Sequence, residues 1–189
     1  MAGTRLVPRD TVSFEDFSRF ADARGWTTDR RSVRAARRDE SPEFLWHGGS
    51  QGTVRLVHSS TLGRCYLVLT GDEPDTLAAL VRDEFPTFTE ADIIARLSAA
   101  RTDDDRIAAF RLVAAAGIPT YDPTIYETVR AGLQDADPLV LLAAMAAAFH
   151  LRWRQFEPLV EGVRRSPTAG ENIRVVAGDL LGLTLWDRG

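Results

Sequence analysis

The chain has 189 residues, of which 44% are apolar and 26% charged, enough for one generous domain or two small ones and incompatible with whole-chain disorder. Its net charge of −4 is unevenly placed: residues 1–72 hold 11 Arg and 9 acidic residues, while residues 73–189 hold 12 Arg and 18 acidic ones, which disfavours nucleic acid as a partner of the second part. All 23 basic residues are Arg, so lysine Schiff-base, P-loop-lysine and lysine-base chemistry are excluded; the lysine-free composition fits the codon usage of a GC-rich bacterial genome. The single cysteine, Cys65, permits neither an internal disulfide nor a Cys-based zinc site. No apolar segment follows MAGTRLVPRD as a secretory leader requires. The longest apolar run, Leu139–Phe149, is eleven residues, too short to span a bilayer. The expectation is a soluble cytoplasmic protein with no membrane partner.

In chain order, Ser13 predicts a helix start. Asp16 stands at the third helical position, and Val12 and Phe17 are placed as a hydrophobic staple. Phe14, Phe17 and Phe20–Ala21 give that helix one apolar face, and Gly25 ends it. A short strand is expected within Arg30–Arg38. Clearer strands follow at Phe44–Trp46, Thr53–Ser59 and Cys65–Thr70, separated by Gly48–Gly52 and by Leu62–Gly63. Together they read as a small α+β module, residues 1–72, in which one helix packs on an antiparallel meander of three or four strands.

From Glu73 the chain reads as helices alone. Helices are expected at Asp75–Phe85, stopped by Pro86, and from Thr89, with Asp92 at its third position. Thr102 opens the next, and the acidic triplet Asp103–Asp105 complements its dipole. Asp122-Pro123 starts another, stapled by Tyr121 and Tyr126, and Glu157-Pro158 a further one. Three helices share a pattern: Ile107 in DDRIAAF, Val140 in DPLVLLAA and Ile173 in ENIRVVA, each 33 residues apart. Between them, Ile125, Tyr126 and Val129 match Leu159, Val160 and Val163 at an offset of 34. A fixed period in this range signals stacked helix pairs.

Residues 102–189 resemble a HEAT-like repeat. Asp137, Pro138, Val140, Ala143 and Ala144 carry the likeness well, and Asp104, Ile107 and Ala108 in part. The copy with Glu171, Ile173, Arg174 and Ala177 resembles a capping helix, and the helices over 75–100 a degenerate first copy. The resemblance implies a short α-solenoid within a helical region, residues 73–189. Such surfaces bind proteins, sometimes nucleic acid, and rarely hold a catalytic pocket. Leu139–Leu151 then becomes a middle helix covered on both sides, with Val140, Ala144 and Phe149 buried.

Motifs for chemistry are sparse. His47 and His58 lie on or near strands, where they would be neighbours, but a metal would need a third ligand that the sequence does not offer. Cys65 beside His58 could form a nucleophile and base; a buried thiol in an apolar strand is the better reading. No cofactor or metal is expected. Two features fit binding. Arg152-Trp153-Arg154 stands in an expected exposed connection and carries the residue types of interface hot spots, with Trp153 as anchor; its alternative is Trp153 folded onto Phe156. Glu127/Arg130 and Glu161/Arg164 hold equivalent positions on the second helices, which line the inner face in the proteins this chain resembles. The expected function is that of a non-catalytic protein-binding adaptor or regulator whose partner is another protein. An immunity-type inhibitor of a toxin, and a small-molecule or nucleobase enzyme with its site in the solenoid groove, are the alternatives.

Overall fold

The structure, a computed structural model, describes residues 3–29, 43–49 and 52–183. It is mixed α+β and divides into two compact units, Met1–Thr89 and Glu90–Gly189.

The first unit begins with strand β1 (Thr4–Leu6) and helix α1 (Phe14–Asp22). Ser13 caps α1 with the expected reciprocal bonding: its Oγ accepts from the Asp16 N–H while the Asp16 carboxylate accepts from the Ser13 N–H. Strands β2 (Thr27–Asp29), β3 (Glu43–His47), β4 (Thr53–Ser59) and β5 (Arg64–Thr70) follow, then helix α2 (Pro74–Glu84). The sheet is wholly antiparallel, in the order β1-β5-β4-β3-β2. It has five strands where three or four were expected, because β1 returns to pair beside β5 and β2 adds an edge. The strand expected within Arg30–Arg38 lies outside the described residues.

One sheet face is packed and built from alternate positions, as the strand period requires. Val54 and Leu56 of β4 and Cys65, Leu67 and Leu69 of β5 face Phe17, Phe20 and Ala21 of α1 and Leu77, Ala78 and Val81 of α2 in one core. Trp46, fully buried, sits 4.6 Å ring to ring from Phe17. Helix α2, counted with the helical region in the sequence reading, thus contributes its apolar stripe to this sheet, and the first unit runs on to Thr89 rather than ending at residue 72.

The second unit holds helices α3 (Glu90–Ala99), α4 (Asp103–Ala116), α5 (Pro123–Gly132), α6 (Pro138–Leu151), α7 (Glu157–Arg165) and α8 (Glu171–Leu183), with no strand among its described residues. Their starts follow the sequence signals. Thr102 and Asp105 form a capping box, and the Asp122 and Asp137 carboxylates accept first-turn N–H groups ahead of Pro123 and Pro138. Helix α4 packs on α6, α6 also meets α5 and α8, α5 meets α3, and α7 packs on α8. The alanines of α6 permit this close approach: Ala143, Ala144, Ala147 and Ala148 are buried. Gly132 serves the same end. A β-carbon there would stand 2.6 Å from the Phe110 ring and 2.8 Å from the Ala144 methyl group. Val140 and Ala144 are buried as expected, whereas Phe149 is only half-buried and turns its ring edge to His150. Leu139, at the start of α6, is 63% exposed, so this helix is not covered all round.

Candidate functional site

The residues singled out for binding divide sharply. Trp153 does not stand out from the surface. Helix α6 ends at Leu151, Arg152 turns the chain in the left-handed region (φ 58°), and a single 3-10 turn, Arg154–Phe156, follows. In a 3-10 turn side chains three apart eclipse one another, and Trp153 lies flat on Phe156 at 5.7 Å with 9° between the rings. Its indole N–H donates to the Ile118 carbonyl at 3.2 Å, and the residue is buried. The expected anchor is therefore a core residue, because burial gives the large ring apolar neighbours and its N–H a partner at once. Arg152 and Arg154, on either side, are exposed.

The four charged positions on the second helices pair with each other along their own helices. Arg130 meets Glu127 at 2.6 Å on α5, and Arg164 and Arg165 both meet Glu161 at 2.6 Å on α7. The hydrogen bond from Arg164 lowers the Glu161 carboxyl to about 2. These pairs face solvent, where screening leaves each with little net effect on its helix.

A groove of about 490 Å³ lies within the second unit, lined by the α5–α6 connection, the start of α6, helix α7, the Ser166–Gly170 connection and Ile173 of α8. Leu133, Leu141, Leu159 and Val163 supply its apolar wall, and Gln134, Asp135, Ser166 and Thr168 its polar rim. The rim is fixed by local hydrogen bonds. The Asp135 carboxylate accepts from the Asp137 N–H at 2.8 Å and from Arg106 of α4, which also reaches Asp103 at 3.1 Å. On the far side Ser166 Oγ accepts from the Ala169 N–H at 3.3 Å and shares a hydrogen with Thr168 Oγ1 at 2.9 Å. Two glycines line the groove, and a β-carbon at either Gly162 or Gly170 would meet nothing within 4 Å. Glycine inside a helix costs about 1 kcal/mol relative to alanine, so Gly162 gives up helix stability at a position where the groove is open.

The geometry limits what this groove does chemically. The Asp137 N–H, and then Arg106, hold the Asp135 carboxyl below the ordinary carboxylate range. A carboxylate so held is ionised at neutral pH and its lone pairs are engaged, which suits a structural clamp better than a general acid or base.

The other chemical candidates separate in space. His47 pairs with Thr53 across β3 and β4, and His58 lies five residues further along β4, so the two imidazoles project from opposite faces of the sheet. They are not the neighbours the sequence suggested. His58 stands directly opposite Cys65 on β5. The thiol is buried, and its Sγ accepts from the Val12 N–H at 3.5 Å. Burial lowers the His58 pKa, and its Nε2 has no hydrogen-bond partner. Among the described residues no group of three or more His, Cys, Asp or Glu side chains stands together as a metal would require, and no helix is long and apolar enough to cross a membrane.

The groove and Tyr121 are what the sequence reading missed. Tyr121, noted only as half of a staple, keeps its staple contact with Tyr126 at 5.8 Å yet remains 47% exposed, resting 5.2 Å from Trp153. Comparison with protein-family models, with curated proteins and with solved structures gives no match.

Proposed function

We propose that this chain is a non-catalytic binding protein, an adaptor or regulator, whose second unit is a short HEAT-like α-solenoid presenting a surface to another protein. The neighbour relations of the helices support the repeat: α4, α6 and α8, which carry the 33-residue pattern, lie side by side in that order. The 34-residue offset places Val129 and Val163 in equivalent buried positions. It breaks down one turn earlier. There Ile125 and Val160 are buried while Tyr126 and Leu159 are half-buried, and Leu159 faces the groove.

The observation that carries the reading is the groove itself. It is open, apolar along its wall and rigid at its rim, its carboxylate is already bonded, and a mid-helix glycine leaves it clear. A volume of this order accepts a few side chains of a partner, and an apolar depression with a polar rim is the usual anatomy of a recognition surface. The −6 of residues 73–189 favours protein over nucleic acid there.

The test is site-directed photo-crosslinking. The full chain carrying benzoylphenylalanine at Leu159, incubated in lysate of its native cells, is expected to yield a discrete crosslinked protein. The same probe at Thr76, exposed on α2 of the first unit, is expected to yield none. Crosslinks of equal strength from both positions, or none from Leu159, would refute the reading.

A further inference from the structure

We infer that the groove of the helical unit has one fixed wall and one moving wall. Arg106 and Asp135 hold the α5–α6 connection still, and the α7–α8 connection, Ser166–Gly170, opens and closes to admit a side chain of the partner. The inference rests on the binding reading above and names the device that regulates access to that groove.

The two connections are counterparts. Leu133–Asp137 runs from the C-terminal cap of α5 to the N-terminal cap of α6, and Ser166–Gly170 from the C-terminal cap of α7 to the residue ahead of α8. They are equal in length, and both line the groove. Helices α4 and α6 correspond in the same way: each has 14 residues, opens on a side-chain cap (Thr102, Asp137) and closes on a left-handed residue (Gly117, Arg152). Counted from those caps, Arg106 and Leu141 each hold the fourth position of their helix. Within the connections, Asp135 and Thr168 both stand third, and Asp137 and Gly170 both stand last.

What differs is how each connection is tied. The Asp135 carboxylate accepts from the Asp137 N–H and from Arg106, whose guanidinium also meets Asp103, so α4 grips the α5–α6 connection from outside it. The N–H groups of Leu133, Gln134 and Asp135 donate to the carbonyls of Val129, Ala131 and Gly132, and that of Ala136 to the Asp135 carboxylate. Every backbone N–H of this connection is therefore bonded. The α7–α8 connection has no such grip. Leu141 stands where α4 has Arg106, Thr168 takes the place of Asp135, and Gly170 has no side chain with which to cap α8 as Asp137 caps α6. Its own bonds are local: the Ser166 N–H donates to the Val163 carbonyl at 3.1 Å and the Ala169 N–H to Ser166 Oγ at 3.3 Å, Ser166 Oγ lies 2.9 Å from Thr168 Oγ1, and the Gly170 carbonyl accepts from the Arg174 N–H at 3.1 Å. The Thr168 and Gly170 N–H groups have no partner among the described residues. The groove is thus open where the preceding helices carry an ion pair, because Leu141 and Thr168, the counterparts of Arg106 and Asp135, both line it. A segment with fewer bonds and more exposure opens at lower free energy than a tied one, so the wall that gives way is Ser166–Gly170.

The test is residue-resolved hydrogen exchange of the full-length protein, followed by NMR with no partner added. The bonded amides of Ser166 and Ala169 are expected to exchange within about threefold of the unbonded Thr168 and Gly170 once intrinsic rates are divided out, because the connection opens as a unit. The amides of Leu133–Asp137 are expected to exchange about tenfold or more slowly than these. Arg106→Gln is expected to speed exchange at Asp135–Asp137 by about fivefold or more and to leave Ser166–Gly170 unchanged, while Arg106→Lys, which keeps the cation, retains most of the protection. Gly170→Asp supplies α8 with the kind of cap that α6 has, at a position where a β-carbon meets nothing within 4 Å, and is expected to slow exchange across Ser166–Gly170 by about threefold or more. Ser166 and Ala169 amides as protected as those of Leu133–Asp137, unchanged exchange at Asp135–Asp137 in Arg106→Gln, or unchanged exchange across Ser166–Gly170 in Gly170→Asp would each overturn the proposal. None of these measurements uses the crosslink at Leu159, so the two readings fail separately.

Discussion

Replacing Trp153 with alanine is expected to unfold the helical unit more readily rather than to leave a stable protein with a missing contact. The residue is 4% exposed, stacks on Phe156, touches Tyr121 and bonds the Ile118 carbonyl. Truncating a buried aromatic to alanine costs about 3–5 kcal/mol, and an unsatisfied buried carbonyl at Ile118 adds about 1 kcal/mol. Part of this returns if Tyr121 collapses into the space, so a net loss of about 3–4 kcal/mol is the expected outcome. Trp153→Phe keeps the stack and loses only the donor, for a loss of about 1–2 kcal/mol. Guanidinium titration of the full chain, followed by circular dichroism at the helical band, measures both. A Trp153→Ala transition within about 0.5 kcal/mol of the parent would refute the placement of this ring in the core.

Three other outcomes follow from the packing and from one histidine. Ala144→Arg puts volume and an unpaired charge into a fully buried position between helices, and a loss of about 3 kcal/mol or more is expected in the same titration. Gly132→Ala gains about 1 kcal/mol of helix propensity but drives a methyl group against Phe110 and Ala144, so a net loss is expected, and a net gain would show that α5 can move off its neighbours. Because burial lowers the folded-state pKa of His58, the unfolded chain takes up its proton first as pH falls below about 6.5. Stability is therefore expected to fall with pH from there through the lower folded-state pKa. Urea midpoints measured from pH 7.5 downward should show a shallower fall in His58→Gln, and an identical fall in both proteins would contradict this.

Helix starts were legible because their signals are local: Ser13, Thr102, Asp122 and Asp137 each bond within three residues of themselves. The central strands were legible from alternation, with β4 matching its expected bounds. Strands β1 and β2 escaped because each has three residues, and β1 owes its pairing to β5, more than sixty residues away. Trp153 takes the alternative the sequence offered, folded onto Phe156, rather than the exposed anchor position. Its spacing of three from Phe156 was the available signal, since a 3-10 turn brings those two side chains together. The groove draws on five segments and has no pattern of its own, although an unexplained glycine in the middle of α7 marks its edge.

The most direct measurement is the affinity of the protein crosslinked at Leu159 for the parent chain and for Gly162→Trp. Tryptophan is a better helix former than glycine, and the β-carbon at 162 meets no atom within 4 Å, so the variant is expected to fold with an unchanged or higher melting temperature. Its indole would occupy the space beside Leu159 and Val163. If the groove is the recognition surface, the dissociation constant rises by about tenfold or more. A folded Gly162→Trp protein that binds the same partner with the parent's affinity would contradict the assignment.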